Sequence, residues 1–219
     1  ILHELKQITG DNDAGAAMIT QKIRRIIRYT DMLITSYDVM RNGMDYDDYN
    51  SFRMALAPAS GFQSVQFRYI ELHCTPLPNL VNERGKEYLP DNPTVEDYFR
   101  NMYWRDAGYE RETAKTTLTL RLFEEKYLTG LIALAQSLQG KTLDDKVRKL
   151  DRNMPEELRQ ALRDFDRFYN IEWPLVHLRT AQHYLDSKGE TKAATGGSEW
   201  KKYLHPQYQQ RDSQKGRWK

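Results

Sequence analysis

Apolar residues recur along most of the chain at three- and four-residue spacings, the period of a helix with one buried face. Between residues 14 and 40, Met18, Ile19, Ile23, Ile26, Ile27, Met32 and Leu33 form one such stripe, and Asn42-Gly43 closes it. Asp45 to Leu56 reads as a second helix. Pro58-Ala59-Ser60-Gly61 breaks the chain, and Phe62 to His73 reads as a third. Residues 75–93, rich in Pro and Asn, are expected to be irregular. Thr94 caps a further helix to about Asp106, with Glu96 close behind it. Arg111 to Gln139 predicts a long helix ended by Gly140, and Lys141 to Asn153 a short one. Pro155 starts a helix toward Asn170, and Pro174 starts another through Leu185. No long alternating strand pattern and no internal repeat occurs. The fold class expected is all-α, a helical bundle.

The 219 residues fit one domain, 1–219. Its irregular parts are the 75–93 connection, a small-residue loop over 189–198 and a polar tail over 211–219. The chain starts Ile1-Leu2-His3-Glu4-Leu5, without Met and already in a helical pattern, which reads as a missing N-terminal segment. The 33 Lys and Arg balance 31 Asp and Glu to a net charge of +2, so neither nucleic acid nor a membrane surface is expected as partner. No apolar run approaches a membrane span. With Cys74 as the single cysteine, no internal disulfide and no all-cysteine zinc site can form. A reducing cytoplasm suits that usage.

Four segments carry candidate chemistry. Tyr49, Phe52, Arg53 and Leu56 fall at i, i+3, i+4 and i+7 and share a helix face. Arg53 is a cation on an otherwise apolar face, and an unpaired buried charge is costly. Its partner is a carboxylate, either an internal Asp or Glu or that of a ligand. Gly61 opens the next helix, where backbone N–H groups favour an anion, and Arg68 follows among apolar neighbours. The alternative there is a capped helix with an ordinary surface arginine.

His177 shares a face with Ala181 and Tyr184, and the small residue one turn on leaves room for something flat above the imidazole. It is a candidate axial haem ligand, or else a satisfied core histidine. His183 points another way. The loop after this helix carries Lys188, Thr195 and Gly196-Gly197-Ser198, and is either a closing loop with hydrogen-bond donors or a plain linker. No phosphate loop, zinc pattern or nucleophile elbow is present.

Taken in order, these segments resemble the tryptophan 2,3-dioxygenase family. The run Phe52-Arg53-x-x-Leu56-x-Pro58-Ala59-Ser60-Gly61-Phe62-Gln63-Ser64-x-Gln66-Phe67-Arg68-x-Ile70-Glu71 is close to the most distinctive run of that family. Trp173-x-x-x-His177, then Lys188, Thr195-Gly196-Gly197-Ser198 and Tyr203-Leu204, looks like its haem-ligand helix and closing loop. Ile1-Leu2-x-Glu4-Leu5 looks like the tail of its distal-side helix.

The resemblance implies a helical domain enclosing b-type haem, with His177 as the proximal iron ligand. It implies that Arg53 clamps the substrate carboxylate, helped by Tyr49, Thr195 and Gly196. Phe52, Leu56 and Ser60 would line the indole pocket, and Arg68 would pair with a haem propionate. The distal histidine would precede Ile1. The implied partners are L-tryptophan and O₂, the product is N-formylkynurenine, and the assembly is a cytoplasmic homotetramer. Two other readings remain open: a haem monooxygenase of the same superfamily acting on an aromatic amino acid or indole, and a helical scaffold without haem.

Overall fold

The computed structural model describes residues 1–55, 64–106, 108–150 and 154–187. Helices dominate: α1 (Leu2–Gly10), α2 (Ala16–Gly43), α3 (Tyr46–Ala55), α4 (Val65–Cys74), a 3-10 turn (Leu77–Leu80), α5 (Glu83–Lys86), α6 (Val95–Arg100), α7 (Tyr103–Asp106), α8 (Leu118–Ser137), α9 (Leu143–Leu150), α10 (Glu156–Arg167) and α11 (Trp173–Ser187). The strands among the described residues are β1 (Tyr109–Glu110) and β2 (Lys115–Thr116), paired antiparallel with Tyr109 opposite Thr116. The fold is all-α, as the periodicity predicts.

The buried face of α2 differs from the predicted stripe. Ile19, Ile23, Ile26 and Thr30 are buried, and Ile34 and Tyr37 continue that face half-buried. Met32 is 68% exposed and Leu33 38%. The inward positions step by three and four residues throughout, so a single helical face reaches from the core to Tyr37. Leu158, Ala161, Leu162 and Phe165 of α10, at i, i+3, i+4 and i+7, pack against the first half of that face. The second half meets α11.

Three element boundaries also differ. The helix predicted from Arg111 starts only at Leu118, because residues 109–116 form the hairpin. β-Branched Thr116 and Thr117 favour extended backbone, and the Thr117 hydroxyl caps α8 by accepting from the Leu120 amide at 3.2 Å. The helix from Thr94 ends at Arg100 rather than Asp106. Its capping box uses Asp97, not Glu96. The Asn101 amide donates to the Asp97 carbonyl at 2.9 Å, taking an acceptor the helix would use, and α7 restarts at Tyr103.

The helix predicted to stop before Pro174 runs on instead. Phe168–Glu172 forms a π-turn in which the Trp173 amide bonds the Phe168 carbonyl. Pro174 lacks an N–H, so the chain leaves one α-type bond unmade, and the widened turn absorbs that register.

Two apolar cores result. One is built by α1, α2, α9, α10 and α11, the other by α6, α7 and α8. α4 lies between them: Phe67, Ile70 and Cys74 face the first, Val65, Tyr69 and Leu72 the second.

Candidate functional site around His177

Trp173 and His177 are one turn apart on α11, and Tyr169 stands one turn before Trp173 in the π-turn. Trp173 packs against Phe67 at 4.7 Å between ring centroids and against Tyr169 at 5.4 Å. The inward face of α2 delivers Tyr37 to the same place. Its hydroxyl lies 3.2 Å from His177 Nδ1, and the two rings meet edge to face. Burial raises the Tyr37 pKa, opposed by a hydrogen bond from Trp173, whose indole can only donate. The phenol therefore stays neutral.

The His177 ring retains exposed surface, yet desolvation by the surrounding protein lowers its pKa. The imidazole is neutral at pH 7, with Nδ1 engaged by Tyr37 and Nε2 left for another partner.

A second contact brings α3 to this helix. Tyr49 stacks flat on Tyr184 of α11, with centroids 3.9 Å apart and planes 7° from parallel. Tyr184 is 2% exposed, and its hydroxyl donates to the carbonyls of Met40 at 2.6 Å and Met44 at 3.3 Å. It thereby pins the α2–α3 corner, and its helix also carries His177. Tyr49 and Phe52, the latter 43% exposed, belong to α3. Arg53 is in the same helix, but its side chain is outside what the structure describes. Leu56, Ser60, Thr195 and Gly196 also lie outside the described residues, as do the 189–198 loop and the 211–219 tail.

Arg68 is elsewhere. It is 3% exposed, its Nε lies 3.3 Å from Glu71 Oε2, and its guanidinium sits over the Tyr103 and Trp104 rings. Tyr103 in turn hydrogen-bonds Glu71. The surface-arginine alternative fails at Arg68, because an internal carboxylate and two rings enclose it.

The chain is similar to known proteins. A sequence profile described as tryptophan 2,3-dioxygenase matches residues 2–92, which run from α1 through α5 and include the Phe52–Glu71 run. A tryptophan 2,3-dioxygenase of Ruegeria sp. is 27% identical over 210 residues, covering 93% of this chain and 71% of that protein. One from Herpetosiphon aurantiacus is 45% identical over 74 residues, 32% of this chain and 27% of that protein. The tryptophan 2,3-dioxygenase of Rattus norvegicus is 32% identical over 74 residues, 34% of this chain and 18% of that protein. Over residues 2–92 the chain is therefore similar in sequence to the tryptophan 2,3-dioxygenase family. No solved structure matches it.

Similarity of this extent leaves the fit of a haem to the residues themselves. Among the described residues no group of three or more His, Cys, Asp and Glu side chains could hold a bare metal ion. A haem asks for less, since its macrocycle brings four nitrogens and needs one axial side chain. His177 meets that need: neutral, accessible, with its second nitrogen held by Tyr37, the arrangement a metal-ligating imidazole ordinarily shows. With Cys74 as the single cysteine, the two thioether bonds of an ordinary c-type attachment cannot form. Tyr37 had no part in the sequence argument. The signal was present, because Tyr37 continues the Ile23, Ile26, Thr30, Ile34 periodicity, but nothing in sequence told that α11 lies opposite.

Proposed function

We propose that the protein binds b-type haem through His177 and inserts O₂ across the indole C2–C3 bond of L-tryptophan, giving N-formylkynurenine. The observation that carries this reading is the packing of α3, which bears Tyr49, Phe52 and Arg53, on α11, which bears His177. Bound at His177, haem would supply an iron that takes up and activates O₂.

The remaining work is done by the chain's own side chains. Arg53 grips the substrate carboxylate in a bidentate pair and sets its orientation from a helix that is itself fixed by Tyr184. Phe52, Leu56 and Ser60 enclose the indole. Tyr49, Thr195 and Gly196 complete the clamp on the amino-acid end. Arg68 is left out of this proposal, since Glu71 already engages it. We further propose a homotetrameric, cytoplasmic assembly. Among the described residues no helix is long and apolar enough to cross a membrane.

The test supplies L-tryptophan and labelled O₂ to the ferrous, haem-loaded protein. N-formylkynurenine carrying both labelled atoms is expected. A ring-hydroxylated product with one labelled atom would replace the dioxygenase by a monooxygenase, and failure to take up haem would leave a helical scaffold. His177→Ala is expected to abolish the haem Soret band while the helical circular dichroism is retained.

A further inference from the structure

We infer that Tyr37 is a positioning residue for His177: its phenol oxygen accepts the Nδ1–H of the imidazole and thereby turns Nε2 toward the iron. The inference rests on the haem reading above and names the side chain that tunes that site. Two observations carry it. The Tyr37 hydroxyl is 3.2 Å from His177 Nδ1, within hydrogen-bond range, and the rings are 73° apart, which brings the phenol edge to the imidazole rather than stacking over it. Tyr37 arrives from α2, a different element from the histidine, so the contact fixes the ring against the fold and not merely along its own helix.

A phenol can serve a neutral imidazole as donor or acceptor, and the tautomer decides which. Iron on Nε2 requires the proton on Nδ1, so in the haem-bound protein Tyr37 must accept. Its oxygen has lone pairs with which to accept from the imidazole. Its own proton is free to face solvent, because Tyr37 is only half-buried. Accepting a hydrogen bond from Nδ1–H makes the imidazole a stronger electron donor, which strengthens the iron–histidine bond and favours ferric over ferrous iron. Asp38, next to Tyr37 on α2, is taken up by Arg41.

The test compares the wild-type protein with Tyr37→Phe and His177→Ala after loading with haem. In ferrous Tyr37→Phe the iron–histidine stretching band in resonance Raman is expected to shift to lower frequency, and the haem midpoint potential to rise. In the wild type, the hyperfine-shifted Nδ1–H resonance is expected to exchange slowly with D₂O, a measurement that needs no variant. Fast exchange in the wild type overturns the inference. So do an unmoved band and potential in Tyr37→Phe when His177→Ala has lost the histidine band; the haem reading then stands and only the role of Tyr37 falls. If His177→Ala keeps haem with an unchanged iron–histidine band, both fall together.

Discussion

His73 of α4 is 4% exposed, and its Nδ1 lies 2.8 Å from the Thr9 hydroxyl of α1. That hydroxyl donates to the Leu5 carbonyl at 3.0 Å, so it accepts from the imidazole, which is held neutral with Nε2 unpaired. Burial and nearby Lys6 depress the pKa to about 4. The folded state therefore refuses a proton that the unfolded chain accepts below about pH 6.5. Stability is unaffected above that pH and falls as the pH drops from 6.5 toward 4. At pH 5 this one group is expected to cost about 2 kcal/mol. Urea melts at pH 7.5 and pH 5 should reveal the difference, and His73→Gln should remove most of it. A second residue-scale expectation concerns Arg53. If it grips the substrate carboxylate, Arg53→Ala should lower kcat/KM for L-tryptophan by about 2–4 kcal/mol, from the charge left unpaired. It should have a far smaller effect on a decarboxylated analogue. Equal losses on both substrates would assign Arg53 a structural ion pair instead.

At the scale of elements, two junctions are closely made, and the second of them lies at the site. The short helix α5 packs its start against the end of α6 so closely that a Cβ on Gly85 would sit 2.2 Å from the Asn101 carbonyl oxygen and 2.7 Å from Val81 Cγ1. Neither the backbone oxygen nor the buried valine can withdraw cheaply. Gly85→Ala is expected to lower stability by about 3 kcal/mol, read by thermal melting. The α2–α3 corner is the other junction, where the Tyr184 hydroxyl closes on the Met40 and Met44 carbonyls. Tyr184→Phe keeps the stack on Tyr49 and deletes those bonds, which should cost about 1 kcal/mol. Because α3 carries Arg53, the KM for L-tryptophan should rise with it. An unchanged KM would mean that α3 is positioned by the stack alone.

Across the whole molecule, the layer between the two cores is polar: Arg68, Glu71 and the hydroxyls of Tyr103 and Tyr169 are all enclosed. Burial raises the Glu71 pKa against the pull of Arg68, while the guanidinium stays charged beside it. Removing one charge strands the other, so Arg68→Met should destabilise by about 3–5 kcal/mol. Arg68→Met with Glu71→Gln leaves no uncompensated charge and should recover most of that loss in denaturant melts. If the double variant is no better than the single one, the pair is not what holds the layer.

The all-α class, the span of α2, the Pro155 helix start and the Thr94 cap follow from residues near one another in sequence, because period, caps and breakers act locally. The candidates Arg53 and His177 were singled out from nearby residues in the same way, by the helical spacings that set each among apolar or small neighbours. What sequence misjudged were competitions: Thr116 and Thr117 made the start of the predicted 111–139 helix a hairpin and a cap, Asn101 split another, and the π-turn carried a helix through Pro174. Nor does anything local show that Tyr103 and Trp104 close over Arg68. Only the tertiary structure set α2 against α11 and so gave Tyr37 to His177, across 140 positions of chain. Contacts at that separation depend on how whole faces pack, a property no short stretch of sequence contains.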